Sequence, residues 1–216
     1  EETGAPQLRP RVSPELVVWE DERGAVAQLR VFNRQTGLLS WVDSSDADQR
    51  FAAVDGGRIV WTDLRDEDAN GRFDGDRTDL ADLWSNDDEN GKAQLLVAGP
   101  GKQAFPALDG DVLVWADWRS APVDENGHPR PEPKFSRYEI RIAVAGASGT
   151  DGVFLGTVYG GTATGLPTVA GGRVAWVSDG RTRVKSVTGS HLYEAFGEYP
   201  VLTADSLMLV AGPELQ

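Results

Sequence analysis

One phrase recurs along this chain: two aliphatic residues, a tryptophan, and then an aspartate and an arginine at alternate positions. It occurs at 17–23 (VVWEDER), 59–65 (IVWTDLR) and 113–119 (LVWADWR), more loosely at 174–181 (VAWVSDGR), and without tryptophan at 207–211 (LMLVA). Repetition of this kind means that one structural unit is used several times, because a single copy cannot bury its apolar face alone. The chain is therefore predicted to be an array of similar units.

Each unit is predicted to consist of short strands. A leading strand such as 105–108 (FPAL) is followed by an Asp-Gly or Gly-Gly turn and then by the tryptophan strand. Third and fourth strands are predicted at 27–33 and 38–42, 80–85 and 93–98, 138–144 and 153–157, and 181–187 and 191–195. Four short antiparallel strands per unit, with no helical periodicity, are typical of a β-propeller blade. The sequence predicts an all-β fold, a β-propeller of five blades.

The repeats divide the chain into blades of unequal length. We expect one domain over residues 1–216, with repeats at 9–48, 49–102, 103–164, 165–197 and 198–216. The last repeat holds only two strands, and Gln7–Arg9 could complete it from the N-terminal end. The alternative is that the chain is a piece excised from a larger propeller.

Composition excludes several classes of function. The net charge of −13 leaves no cationic stripe for nucleic acid or for an anionic membrane surface. The absence of cysteine excludes a disulfide framework and a thiolate nucleophile. No apolar run reaches the length of a membrane span, so membrane insertion is not expected.

The residues of the recurring phrase are predicted to be structural. Trp19, Trp61, Trp115 and Trp176 occupy equivalent strand positions, where a large ring fills the space between twisted sheets. The Asp and Arg of each phrase are predicted to close a strand end by hydrogen bonds or an ion pair. Trp118, Trp41 and Trp84 belong less clearly to the repeat; packing is favoured for them, with ligand contact as the alternative for Trp118.

The strongest functional signal is the acidic loop at 66–74 (DEDANGRFD). Oxygen-bearing side chains alternate, a glycine follows the third, and a further carboxylate comes four residues later, a spacing that wraps a chain around one Ca²⁺. The predicted ligands are Asp66, Asp68, Asn70 and Asp74, with the Arg72 carbonyl oxygen as a backbone ligand. An EF-hand is excluded, because its twelfth position would need glutamate and holds Arg77.

The charge around this loop also favours a cation. Eleven Asp or Glu residues and only three arginines lie between positions 63 and 89, and such crowding without a cation costs Coulomb energy. The alternative is a solvated acidic turn. Two further acidic turns, 86–91 and 124–128, are predicted to be ordinary turns without an ion.

Two stretches carry resemblances to known proteins. Residues 103–119 (QAFPALDGDVLVWADWR), with 138–142 downstream, resemble the β-propeller repeats of archaeal and bacterial cell-surface proteins, which are similar to TolB-type and WD-like propellers. The acidic loop resembles the calcium cage in hairpin loops of integrin α-chain propellers. These resemblances imply a propeller fold, a calcium ion and a secreted or cell-surface location.

Three functions are compatible with such a fold. The favoured one is a calcium-stabilised extracellular module that binds a protein or a glycan on a cell surface. A hydrolytic propeller, such as a glycosidase, is the alternative, but the leading strands carry no Asp or Glu at 52–54, 106–108 or 167–169 that could form a catalytic pair. The third is a purely architectural domain that self-assembles. The sequence leans against an enzyme and predicts no catalytic residue.

Overall fold

The computed structural model describes residues 4, 6–65, 81–86, 92–99, 101–119, 137–144, 152–159, 166–187 and 192–210. All regular elements in this part of the chain are β-strands, so it contains no helix long and apolar enough to span a membrane. The predicted calcium ligands at 66–74 lie outside the described residues.

The strands form five antiparallel sheets. The first sheet contains β1 (Gln7–Val12), β2 (Leu16–Asp21), β3 (Gln28–Asn33) and β4 (Leu39–Trp41), and the second contains β5 (Asp48–Asp55), β6 (Arg58–Leu64), β7 (Asp82–Ser85) and β8 (Gln94–Val97). The third contains β9 (Gln103–Asp109), β10 (Val112–Asp117), β11 (Arg137–Val144) and β12 (Val153–Tyr159). The fourth contains β13 (Thr168–Ala170), β14 (Arg173–Ser178), β15 (Arg181–Ser186) and β16 (Leu192–Phe196), and the fifth only β17 (Glu198–Leu202) and β18 (Leu207–Val210).

Within each sheet the strands neighbour one another in sequence order, so every sheet is an up-and-down meander. Longer connections join β6 to β7 and β10 to β11, whereas tight turns join β5 to β6 and β9 to β10, as adjacent antiparallel strands allow. Gly56 and Gly110 lie in two such turns with φ of 53° and 55°, a conformation that residues with a Cβ resist. The predicted all-β fold with repeated four-stranded sheets is confirmed.

The first strand of the chain differs from the sequence-based expectation. Gln7–Arg9, which could have completed the fifth repeat, belongs to β1 and pairs with β2 at the edge of the first sheet. The first repeat therefore also has a leading strand, which begins at Gln7, two residues before the predicted start of the repeat at residue 9. Sequence comparison between repeats missed this strand because Arg9 replaces the phenylalanine of the other leading strands, although Gln7 and Pro10 match Gln103 and Pro106.

The first and second sheets pack face to face. Strand β2 alternates between buried and partly exposed side chains, and its buried residues Leu16 and Val18 join Leu29 of β3 in one hydrophobic cluster. The cluster is completed by Ile59 and Trp61 of β6. Trp61 is fully buried. The tryptophan of one repeat therefore fills the space against the aliphatic face of the preceding sheet, as predicted.

The same arrangement recurs between the third and fourth sheets. The ring of Trp176 on β14 lies against Gly156 on β12, where a Cβ would come within 2.8 Å of the ring atom Cζ2. Beyond it, Leu202 and Leu207 of the fifth sheet pack against Ala175 and Val184 of the fourth. Trp115 of the third sheet is also fully buried, with its ring tip beside Gly152.

The chain divides into two compact units, Glu1–Pro106 and Ala107–Gln216. The first unit holds the first two sheets and the beginning of β9. The second unit holds the later strands. The assignment of residues 1–216 to one propeller domain remains a prediction.

The contact between Trp176 and Gly156 gives a direct test of the packing. We expect Gly156→Ala to lower the free energy of unfolding by about 1–3 kcal/mol, because the added methyl overpacks a buried junction. Gly57→Ala is the matched control: no heavy atom lies within 4 Å of its added Cβ, and we expect a change within about 0.5 kcal/mol. Urea unfolding of both variants measures the difference, and equal midpoints would contradict the junction.

Candidate functional site

The recurring Asp and Arg form a hydrogen-bonded group at the end of the tryptophan strand. In the second sheet, the indole Nε1–H of Trp61 donates to the Asp63 carboxylate at 2.9 Å, and Arg65 donates to both oxygens of that carboxylate. In the third sheet, Trp115 and Arg119 bind Asp117 in the same way, at 3.0 Å and 2.8 Å. Both aspartates are buried. Charge-assisted, bidentate bonds of this kind hold a strand end in one geometry.

The first and fourth sheets keep only part of this group. Arg23 pairs with Asp21 at 2.7 Å, but the Trp19 indole Nε1–H has no hydrogen-bond partner among the described residues. In the fourth sheet Ser178 stands where the aspartate would be. The prediction that the Asp–Arg pair closes a strand end holds in three sheets, and the loosest copy of the phrase lacks the pair.

The pKa of the Asp21 carboxyl is set by two opposing effects, burial and the neighbouring arginine. Burial raises this pKa, because the charged form loses its hydration, but hydrogen bonds and charge from Arg23 outweigh burial and place it below the ordinary value of 3.8. Asp21 is therefore ionised at neutral pH and stabilises the fold as a charged group.

A second set of residues sits on the leading strands and was not predicted. Arg9, Phe51 and Phe105 have φ of 48°, 54° and 57°, in the left-handed region that side chains rarely adopt. The pairing of β1 with β2 and of β5 with β6 shifts register at these points, which marks β-bulges. The sequence signal was the shared position of Phe51 and Phe105, two residues after Gln49 and Gln103.

These bulges stack against one another and are held by buried polar groups. The Arg9 guanidinium lies 4.7 Å from the Phe51 ring centre, and the Phe51 and Phe105 rings meet edge to face at 4.4 Å. Glu20 accepts the Phe51 backbone N–H at 2.8 Å, and Thr62 accepts that of Phe105 at 3.1 Å. The residues that follow Trp19 and Trp61 thus support the leading strand of the next repeat.

Five of the six buried carboxylates on the described strands pair with arginine; the sixth is Asp82. Glu20 also pairs with Arg9, and Arg50 lies 3.9 Å away. Glu139 accepts from Arg141 at 3.0 Å. Together with Asp21, Asp63 and Asp117, every one of these buried acids contacts an arginine. Ion pairing with arginine accounts for the burial of these five acids.

One face of the first sheet is apolar and exposed. The cross-strand register aligns Val12, Val17, Phe32 and Leu39 in one row across all four strands. A second row on the same face contains Trp19, Arg30 and Trp41. We call these seven residues the first-sheet face. Val12 is 63% exposed, Leu39 51% and Trp41 41%, whereas the opposite face of this sheet is packed against Trp61.

Arginines border the aromatic part of the first-sheet face. The Arg30 guanidinium lies 4.3 Å from the Trp41 ring centre, and that of Arg23 lies 5.7 Å from it. Exposed Trp flanked by Arg is the composition of protein-binding hot spots. Trp41 was predicted to pack, and its exposure was missed because the sequence does not show the cross-strand register that places it on this face.

The two other tryptophans outside the phrase do pack. Trp84 pairs with Trp61 across the strands, and the Arg65 guanidinium stacks 3.3 Å from its ring centre. Trp118 lies 4.8 Å from the ring of Tyr138. Tyr138 is buried, and burial raises the pKa of its hydroxyl to about 12. Packing, the favoured interpretation of Trp84 and Trp118, agrees with these contacts.

The predicted calcium ligands fall in the connection between β6 and β7. Asp63 and Asp82 are register partners, so the connection leaves and returns at one point of the second sheet. Asp66, Asp68, Asn70, Arg72 and Asp74 are outside the described residues. Among the residues that are described, no three His, Asp or Glu side chains lie close enough to hold a metal ion. The calcium site stays a prediction.

Comparison with known proteins identifies the fold. No family model and no curated protein matches the chain. The chain is similar to a structure from a nidogen/laminin complex (16% identity, TM-score 0.53, covering 86% of this chain and 62% of that one). It is also similar to a putative TolB from Agrobacterium tumefaciens (13%, 0.50, 85% and 63%) and to a prolyl endopeptidase (14%, 0.54, 88% and 29%).

The chain thus spans less than two thirds of each of these structures. The shared feature is the antiparallel four-stranded blade, repeated along the chain. The protein has a β-propeller fold.

The Asp21–Arg23 pair generates a prediction on acid stability. A carboxyl with a lowered pKa contributes stability that is fully present above its unfolded pKa of about 3.9 and is lost as pH falls through the folded value. In Arg23→Gln, burial still raises the Asp21 pKa but the opposing arginine is gone. We expect this variant to lose stability at a higher pH than the wild type.

Urea midpoints measured from about pH 7 to about pH 2.5 check this expectation. The control is Arg11→Gln, because Arg11 is exposed and contacts only the neighbouring Pro10 carbonyl in the hydrogen bonds found for it. Parallel pH profiles for the Arg23 variant and the wild type would show that the pair does not set the pKa.

Proposed function

We propose that this protein is a calcium-stabilised extracellular β-propeller that binds a protein or a glycan on a cell surface. The observation that carries the binding role is the first-sheet face, where exposed Val12, Leu39 and Trp41 adjoin two arginines. Contiguous apolar surface rimmed by polar groups marks an interaction site on a soluble domain. Because six of the seven residues of this face are apolar and three of them are aliphatic, a protein partner is favoured over a glycan.

The similarity to known structures is consistent with this role. One of the similar structures is, by its name, a nidogen/laminin complex, which supports a protein partner for this chain. Propellers host many functions, however, so the fold alone does not decide. The buried carboxylates weigh against the hydrolytic alternative, because arginines hold all five described above.

The calcium part of the proposal rests on donor chemistry and chain geometry. Four side chains in the loop offer oxygen, the donor that Ca²⁺ prefers, and the Arg72 carbonyl adds a fifth. The register between Asp63 and Asp82 brings the two ends of the connection together, as a hairpin cage requires. Sites in extracellular modules bind calcium at roughly 10⁻⁴–10⁻³ M, so an ion of this affinity would be held outside the cell.

Calcium removal tests the metal. We expect millimolar calcium to raise the thermal unfolding midpoint of the wild type above its value in EDTA, because an ion that binds only the folded state stabilises it. Asp68→Ala should lose this rise. Asp88→Ala, in the acidic turn for which no ion is predicted, is the matched control and should keep it. An equal midpoint with and without calcium in the wild type would remove calcium from the proposal.

Site-directed photo-crosslinking tests the binding face. We expect p-benzoylphenylalanine at position 39 to give discrete cross-linked species when the protein is exposed to the surface of its producing cells. The same probe at Leu95 is the control, because Leu95 also lies on an outermost strand and is 47% exposed. Equal cross-linking at both positions, or none at position 39, would contradict a binding role for this face.

A further inference from the structure

Arg65 links the first two sheets at the point where the predicted calcium loop begins. It is the first residue after β6 and directly precedes Asp66, the first predicted ligand. Its guanidinium donates to both oxygens of the Asp63 carboxylate, at 2.9 Å and 2.8 Å, within the second sheet. The same guanidinium lies 3.5 Å from the carboxylate of Asp43, in the connection from β4 of the first sheet to β5.

An aromatic ring holds the Arg65 side chain from a third side. Its guanidinium stacks 3.3 Å from the ring centre of Trp84 on β7, and Trp84 packs against the hydrophobic cluster that the first and second sheets share. A planar guanidinium between two carboxylates and an aromatic face is fixed in orientation, and a lysine ammonium does not reproduce these contacts. The backbone from which the calcium loop departs is therefore anchored.

Asp43 is a fixed partner on the side of the first sheet. The Ser44 backbone N–H donates to its carboxylate at 2.8 Å, and the Ser45 hydroxyl donates to it at 2.6 Å. The side chains of Arg65 and Asp43 are 25% and 15% exposed, so salt screens their pairing less than that of a surface ion pair. A displacement of Arg65 thus weakens a contact between the sheets.

The charge around Arg65 favours a cation in the adjacent loop. Two carboxylates, Asp43 and Asp63, face one guanidinium, so the group as a whole is negative and attracts a cation bound at Asp66. Anchoring adds to this effect, because a loop that starts from a fixed residue loses less conformational freedom when it closes around an ion.

We propose that Arg65 is a positioning residue for the calcium loop, and that its contact with Asp43 couples calcium binding to the junction between the first and second sheets. This inference rests on the proposed calcium site and names how the fold regulates it. The coupling is reciprocal: loss of the contact weakens calcium binding, and calcium strengthens the contact by the same factor. The four residues of the link, Asp43, Asp63, Arg65 and Trp84, all lie in the compact unit Glu1–Pro106.

Calcium titration by isothermal calorimetry tests the coupling. We expect Asp43→Asn and Arg65→Lys each to raise the calcium dissociation constant about 10-fold, a factor typical of coupled sites. Asp46→Asn is the matched control: it removes the same charge three residues further along, and Asp46 is exposed and forms no ion pair within the described part of the chain. The control should stay within about 2-fold of the wild type, because salt screens an exposed charge.

A double variant separates positioning from a general loss of stability. If Asp43 acts through Arg65, adding Asp43→Asn to Arg65→Lys should leave the calcium dissociation constant of the single Arg65 variant unchanged. All titrations are made at a temperature at which circular dichroism shows each variant to be folded. A further 10-fold loss in the double variant would mean that the two residues act independently, which would overturn the inference.

The indole N–H of Trp84 gives a readout in the wild type itself. Two-dimensional NMR should show that calcium shifts this resonance, because the ion orders the guanidinium that stacks on the ring. The resonance of Trp19, which is outside the link, should not move. An unmoved Trp84 resonance at saturating calcium would overturn the coupling.

Failure of the inference is distinguishable from failure of the proposed function. A wild type that binds calcium, with Asp43→Asn no weaker than Asp46→Asn, would overturn the coupling and leave the calcium proposal standing. A wild type that binds no calcium would overturn both.

Discussion

The insertion of a tryptophan ring between consecutive β-sheets is the contact on which the rest of this structure depends. A four-stranded sheet of short strands cannot bury its own apolar face, so each sheet is stable only when a neighbour covers it. Trp61 supplies that cover between the first and second sheets, and Trp176 meets Gly156 between the third and fourth. Glycine at position 156 is needed because any Cβ would collide with the ring.

The polar groups of the repeat follow from this packing. Burying an indole leaves its N–H to be satisfied, and an aspartate two residues later accepts it in the second and third sheets. The buried carboxylate in turn needs a cation, and the arginine two residues further on provides it. The Trp–Asp–Arg spacing is thus explained by hydrogen-bond and charge satisfaction on one strand, without a catalytic role.

Much of the fold could be predicted because the sequence repeats. Alternating residues and Asp-Gly turns placed strands such as Arg137–Val144 and Arg181–Ser186 within a residue or so of their observed bounds. Strand β1 was not recognised as part of the first sheet, since Arg9 replaces the phenylalanine of the other leading strands. The left-handed φ at Phe51 and Phe105 was missed because it has no signal within one repeat and shows only as a Gln–x–Phe spacing shared by two repeats.

Of the two candidate sites, the calcium loop could be predicted from the sequence and the first-sheet face could not. The donor pattern at Asp66, Asp68, Asn70 and Asp74 is local, so sequence alone could predict a calcium loop there. The first-sheet face is not local, because Val12, Phe32 and Trp41 come from three strands and become neighbours only through register. Cross-strand register of this kind cannot be deduced from the sequence of one repeat.

Hydrogen exchange of the indole N–H groups tests the central claim most directly. Two-dimensional NMR resolves these protons one by one. If the buried tryptophan of the second sheet joins it to the first, the indole proton of Trp61, which is hydrogen-bonded to Asp63, should exchange more than about 100-fold more slowly than that of Trp19, which has no hydrogen-bond partner among the described residues. Equal protection of Trp19 and Trp61 would contradict the account, because it would mean that neither the sheet junction nor the Asp63 hydrogen bond sets the exchange of the Trp61 proton.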